Sequence, residues 1–443
     1  MFVCSQQDLF QFAEDVLRYA KQGGADGAAV DVYESTGLEV AVRMQATEKV
    51  AYRRDTGVEV AVYVGKKKGY ASTADLSPQA LQQTVAAALN IARFTEDDEC
   101  SGLPEPEFLA TDLFDLDLYH PHTQTPDKAI DWALQCENAA LSQDTRITNS
   151  EGAEVSNDVS QSVFANSLGF AAYDKRTRYA LSCVAVASDK GGMQRDYWSD
   201  AARSFNDLAS ADEIGKTAAS RVLARLNSGS VKTGVYPVLF DRMVSGSLIA
   251  HLAGALSGGA LYRKSSFLCD SLGKKILPDF VTLREEPHLK RAFSVGVCDD
   301  EGVATKARTV IDNGVICGYF LSTYSARKLG LTTTGNAGGV HHLCLKPTVP
   351  TQKDLLKQMG SGLLVTELMG QGVNLLTGDY SRGASGFWVE NGVIAYPVQD
   401  LAIAGRLQDI FAQVLGIADD ARKHAPHSVG SILVEQMTVA GGE

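Results

Sequence analysis

Apolar positions along this chain follow two periods, one suited to helices and one to strands. Over Asp8–Lys21 they return every three or four residues, which predicts an amphipathic helix. The runs Ala28–Tyr33, Leu38–Met44 and Val58–Val64 alternate or are continuously apolar, with glycines at the turns, and predict strands. Ser77-Pro78 places Ser at an N-cap and Pro at the first helical position, ahead of a periodic stretch to Phe94. Thr125-Pro126 repeats this device for a helix ending near Leu141. Three antiparallel strands are predicted around Ser162–Phe164, Ala171–Tyr173 and Tyr179–Ala187, then a helix over Ala211–Leu226.

A short Ser/Gly/Lys stretch, Asn227–Thr233, leads into a second patterned region. It opens with the apolar strand Tyr236–Phe240 and a helix of small residues within Met243–Leu261. Asn313-Gly314 and Asn391-Gly392 lie between apolar runs and predict tight hairpins. Helices over Gln352–Met359 and Arg406–Leu415 follow. Long βαβ alternation is missing, so the expected class is α+β, with mixed, antiparallel-rich sheets and packed helices. Two domains are expected, 1–228 and a β-rich 229–443, because 443 residues exceed the size at which one core usually stops growing.

Composition narrows the function. With 45% hydrophobic and 21% charged residues the chain is an ordinary globular one. A net charge of -12 disfavours nucleic acid as a partner, since that binding relies on clustered Lys and Arg. The run Lys66-Lys67-Lys68 lies beside Gly65 and Gly69 and reads as a solvated hairpin turn. Met243–Leu261 lacks fixed charges and is nearly long enough to span a bilayer. Its Ser245, Gly246, Ser247, His251, Gly254, Ser257, Gly258 and Gly259 suit close packing inside protein better than a membrane. The first residues enter the opening helix without a basic, then apolar, leader, so a cytoplasmic location is expected. Eight cysteines without a C-x-x-C pair argue against both a disulfide framework and a tetrahedral Cys site.

Residue types alone reveal no catalytic constellation. The chain has no His-Glu dipeptide, the core of the common zinc-protease motif. His341 and His342 are adjacent, so in a strand they point to opposite faces. His424 and His427 flank Pro426, and His120 and His122 flank Pro121, all in loop-like sequence. Gly335-Asn336-Ala337-Gly338-Gly339 and Gly370-Gln371-Gly372 lack the Lys-Ser/Thr of a phosphate loop. No Gly-x-Ser-x-Gly occurs.

Longer strings carry a resemblance. They are Gly258–Phe267, Asp270–Lys274, Ser322–Gly330, Thr334–Gly339, Thr366–Gly372 and Gly378–Gly392, in that order, with looser matches at Asp75–Ala80 and Arg146–Asn149. The chain thereby resembles the PmbA/TldE branch of the TldD/PmbA metalloprotease family over essentially its whole length. In the TldD branch a helix carries H-E-x-x-x-H, and a late Cys completes the zinc site. Matched on the shared glycines and Arg263, that motif falls on Ala250-His251-Leu252-Ala253-Gly254-Ala255. Both ligand histidines are alanines, His251 stands at the Glu position, and no cysteine follows Cys344. The resemblance implies a chain without a cofactor of its own, paired in a heterodimer with a zinc-carrying TldD-like partner that cleaves small or unfolded peptides. His251 is expected to be a packed histidine, with a remnant ligand or a proton carrier as alternatives. His251, Asn336, His341, Asp379, Tyr380 and Arg382 are candidates for the chamber wall or the subunit interface. A homodimer in isolation, a self-sufficient hydrolase using His341 or His342, and a binding regulator akin to a DNA gyrase modulator stay open.

Overall fold

The computed structural model describes residues 2–441. The first half contains α1 (Gln6–Gln22), β1 (Gly27–Arg43), β2 (Ala46–Val64), β3 (Lys67–Thr73), α2 (Pro78–Phe94), α3 (Pro126–Leu141), β4 (Ile147–Asn166), β5 (Ala171–Asp189), β6 (Gly192–Ala202) and α4 (Ala211–Ala224). Its six strands form one antiparallel sheet in the order β3-β2-β1-β4-β5-β6. Val30 and Val32 pack with α1 and α2, whereas Leu38, Val40 and Val42, of the same parity, pack with α3 and α4. Four helices therefore cover one face of a single long sheet, in two successive cores.

The helices capped by Ser77-Pro78 and Thr125-Pro126 have the expected bounds, with the cap hydroxyls accepting from Ala80 and Lys128 N–H. The strands are longer than the sequence suggests. Ala28–Tyr33 and Leu38–Met44 belong to one strand, as do Ala171–Tyr173 and Tyr179–Ala187. The polar link in β1 stays extended because the fully buried Glu34 accepts from Val3 N–H at 2.7 Å and Cys4 N–H at 3.1 Å. It sits where the two cores meet, and the N-terminal segment plugs that gap.

The second half contains β7 (Gly234–Phe240), α5 (Gly246–Ala255), α6 (Gly258–Tyr262), β8 (Leu283–Glu285), β9 (Arg308–Asp312), β10 (Val315–Ile316), α7 (Thr323–Leu329), β11 (Leu343–Leu345), α8 (Gln352–Met359), β12 (Gly362–Met369), β13 (Asp379–Glu390), β14 (Val393–Arg406), α9 (Leu407–Ala412), β15 (Val414–Ile417) and β16 (Ile432–Ala440). The order β14-β13-β12-β7-β16-β15, with β14 also paired to β16, closes this sheet into a barrel. Only β7 and β12 run parallel in it. A smaller sheet, β10-β9-β8-β11, packs alongside. Both predicted Asn-Gly hairpins form, with positive φ at all four residues. The predicted helix across Met243–Leu261 is two helices instead. Ser257 turns extended, caps Ala260 N–H, and lets α6 lie so close to α7 that a Cβ on Gly258 would stand 2.2 Å from Ser325 Oγ.

Residues 95–125 carry little regular structure and strap the two halves together. Arg327 of α7 donates to the carbonyls of Cys100, Gly102 and Leu103 and to Glu105. Tyr324 and Lys328 both reach Asp98, at 2.7 and 2.9 Å, and hold its carboxyl down to about 2. Arg203 adds a second tie through the carbonyls of Ala292 and Phe293.

One tight turn is built against its own sequence. Met44 and Gln45 join β1 to β2 with φ of 48° and 60°, a conformation usually given to Asn-Gly. The fully buried Glu137 of α3 accepts from both backbone N–H groups, at 2.8 and 2.7 Å, and from Gln45 Nε2 at 3.0 Å. Glu137→Ala is expected to cost about 2–4 kcal/mol, read as a lower denaturation midpoint. Adding Met44→Asn and Gln45→Gly should recover part of that loss.

Candidate functional site

Helix α5 begins the site. Leu248, Ile249, Leu252, Ala253 and Ala255 face the barrel core among Val238, Phe240, Leu363, Val365 and Tyr380. Ala250 is exposed on the opposite side, while Ala255 is wholly inaccessible. Positions five apart lie about 140° apart on a regular helix, and here they occupy different environments. His251 lies between them, half-buried, its ring edge-on to Tyr380 at 6.1 Å between centroids. Burial, then the positive charge of Arg382, holds its imidazole below the usual range. His251 Nε2, Tyr380 Oη and Arg382 Nε are all buried without a hydrogen-bond partner among the described residues. Burial raises the Tyr380 phenol to about 12.

Three of the six sequence-predicted positions thus meet at α5 and β13. Asn336 and His341 form a second cluster. Asn336 donates to the fully buried Glu285 at 2.7 Å and to Gly339 O at 3.0 Å, and accepts from Arg308 at 3.2 Å and Thr334 at 2.8 Å. Glu285 also accepts from Arg308 Nε at 2.7 Å and His341 N–H at 2.8 Å. The His341 ring meets Gly335 O at 2.8 Å. These contacts tie the glycine-rich loop to β8. Asp379 stands apart on the surface, bonded to Thr377 at 2.6 Å.

The other histidines have local partners. His342 faces Ser428 Oγ at 2.9 Å, so the adjacent pair diverges, and His427 Nδ1 accepts from Leu343 N–H at 3.1 Å. His122 stacks on Phe205, His120 reaches Asp117 O, and His424 lies 3.4 Å from Asp200. All eight cysteines are free thiols. Among the described residues no three His, Cys, Asp or Glu side chains stand close enough together to hold a metal ion.

Sequence reading missed the cleft beside this cluster. A cavity of about 310 Å³ is lined by Asp196, Arg221, Ser247, Thr366, Glu367 and Arg382, with Tyr197, Met243, Val244 and Leu368 completing its wall. Its residues come from β6, α4, the turn ahead of α5 and its start, β12 and β13. The spacing Arg221…Arg225 on α4 was the one local signal of the charge gathered here.

Comparison with known proteins places this architecture. Profiles described as PmbA/TldA metallopeptidase domain 1, central domain and C-terminal domain match residues 28–92, 119–226 and 233–441. The Escherichia coli O157:H7 metalloprotease PmbA is 44% identical over 99% of this chain and 97% of its own length. The chain belongs to the PmbA/TldD metallopeptidase family. A PmbA homologue from Haemophilus influenzae is also 44% identical, over 98% of this chain and 97% of its own. The TldD homologue of that organism is only 22% identical, over 88% of each chain, so the likeness runs far more strongly to PmbA. Among solved structures, a proposed modulator of DNA gyrase from Bacteroides thetaiotaomicron superposes with a TM-score of 0.93 at 29% identity, covering 99% of this chain and 100% of that one. TldE from Thermococcus kodakarensis shares the fold, with a TM-score of 0.83 at 21% identity, over 97% of this chain and 100% of that one.

Membership of a metallopeptidase family raises the question of a metal, and the residues at α5 do not fit one. A protein zinc site needs about three side-chain donors converging on a point. Ala250 and Ala255 have no lone pair, and His251 is a single imidazole packed against Tyr380. The buried Ala255 also leaves no room for an imidazole without displacing the core.

Protonation of His342 sets a measurable pH dependence. Burial, then the charge of His427, lowers its imidazole to about 4, against about 6.5 in the unfolded chain. A base depressed on folding contributes stability that is complete above about pH 6.5 and is lost as pH falls toward 4. Asp299 and Asp31, raised by burial to about 7 and about 6, act in the opposite sense, so the comparison must isolate one residue. His342→Gln is expected to reduce the loss of stability between pH 7.5 and 5 by about 2 kcal/mol relative to the unmodified protein, read from urea midpoints.

Proposed function

We propose that this chain is the metal-free subunit of a two-subunit peptidase, paired with a TldD-like protein that carries the zinc. Its task in that pair is to wall the reaction chamber against folded proteins and to hold the partner's catalytic half in position. The substrates are small or unfolded peptides. The observation that carries this reading is α5, where the positions matched to zinc ligands are Ala250 and Ala255, on different sides of the helix. The sheet offers a means of holding an extended chain. β12 pairs with β7 over Leu363–Val365 and no further, so among the described residues no strand lies against the flank of Thr366–Leu368 away from β13, which borders the cleft. Pairing along such an edge uses backbone groups and tolerates varied sequence.

The reading of this chain as a self-sufficient hydrolase loses support from the rings of His341 and His342, which bond to separate partners. Direct contact with DNA draws no support from a net charge of -12.

Reconstitution tests the proposal. The chain alone is expected to leave an unstructured fluorogenic peptide intact, and the mixture with a TldD-like protein is expected to cleave it. His251→Ala should keep both assembly and cleavage within about twofold, as a packing residue would. Cleavage by the chain alone that disappears with chelator, or a pair equally active without this chain, would reject it.

A further inference from the structure

Arg382 lines the 310 Å³ cleft, yet its buried Nε–H meets no acceptor among the described residues. The two carboxylates that line the cleft with it are already engaged. Asp196 accepts twice from Arg221, at 3.2 Å, and lies 3.7 Å from Arg225. Glu367 accepts from Arg225 at 2.6 Å. Three guanidinium groups therefore face two carboxylates, and Arg382 is the surplus cation. Its positive charge disfavours protonation of His251 and favours ionisation of Tyr380. A buried guanidinium N–H without an acceptor is costly, and a planar carboxylate is the group whose geometry suits a guanidinium in two parallel bonds.

The surroundings select the form of ligand. The turn ahead of α5 contributes Met243 and Val244 to the same wall, and the first turn of α5 contributes Ser247. Its N-cap residue Ser245 makes no capping bond, and its fully buried hydroxyl is unpartnered. The unpaired flank of Thr366–Leu368 runs along the opposite side of the cleft.

We infer that this cleft is a carboxylate-binding site, in which Arg382 receives a free carboxylate of an extended peptide. The site rests on groups of this chain alone and does not require the partner's zinc. Its failure therefore leaves the subunit reading standing, and the converse also holds. The carboxylate has two sources, the peptide C-terminus or an Asp or Glu side chain, and both offer the same planar pair of oxygens.

Fluorescence anisotropy with the isolated full chain tests this with three labelled hexapeptides. The first has neutral side chains and a free C-terminus, the second is its C-terminal amide, and the third is the amide with one internal Asp. Binding of the first or the third is expected to exceed that of the neutral amide by roughly tenfold to a hundredfold. Preference for the first assigns the C-terminus, and preference for the third assigns the side chain. Arg382→Gln should bring all three to the level of the neutral amide. Ser247→Asp, which supplies a carboxylate at the cleft wall while keeping Arg382, should do the same and guards against a folding defect in the first variant. Equal binding of all three peptides, no binding of any, or a preference that survives both substitutions would overturn the proposal.

Discussion

Close packing of α5 against the barrel is the constraint on which the site depends. The helix presses Leu248, Leu252 and Ala255 onto β7, β12 and β13, and the side chains there are small or apolar because the backbones approach closely. That packing determines what chemistry the helix can carry. A buried alanine at position 255 fills its space, and an imidazole in its place would force the core apart. The absence of a donor set is thus built into the packing and does not hang on one substitution. The same helix still presents polar atoms to β13, where His251, Tyr380 and Arg382 lie together without partners.

The long sheet of the first half and the barrel of the second are joined by polar contacts made to backbone carbonyls. Arg327 draws three carbonyls of the connecting strap and Arg203 two carbonyls of the second half, and such bonds hold orientation regardless of the side chains they pass. The cleft at Arg382 depends on this union. β6 and α4 bring Asp196, Arg221 and Arg225 to the edge of β12, where Glu367 completes the paired charges.

Sequence patterns revealed those features whose cause is local. Ser77-Pro78 and Thr125-Pro126 carry their own N-caps, and Asn313-Gly314 and Asn391-Gly392 carry their own turn geometry. That Ala250 and Ala255 offer no donor to a metal was equally legible, because an alanine has the same chemistry in any fold. What stayed hidden depends on distant partners. Glu34 and Glu137 look like surface carboxylates, yet one bridges two cores and the other holds a turn that Met44-Gln45 would not form unaided. The barrel closes through Ala402–Ala404 against Thr438–Ala440, a pairing that no local pattern announces. Arg382 was a named candidate, but its surplus charge emerges only once Arg221 and Arg225 are seen to occupy the neighbouring acids.

Titration of zinc into the isolated full chain at neutral pH, followed by calorimetry and by metal content after gel filtration, measures the donor set directly. The expected result is no saturable one-to-one site and less than about one-tenth equivalent of zinc retained, unchanged by His251→Ala. A stoichiometric site that survives gel filtration and is lost in His251→Ala would contradict the view that this helix has no metal chemistry of its own.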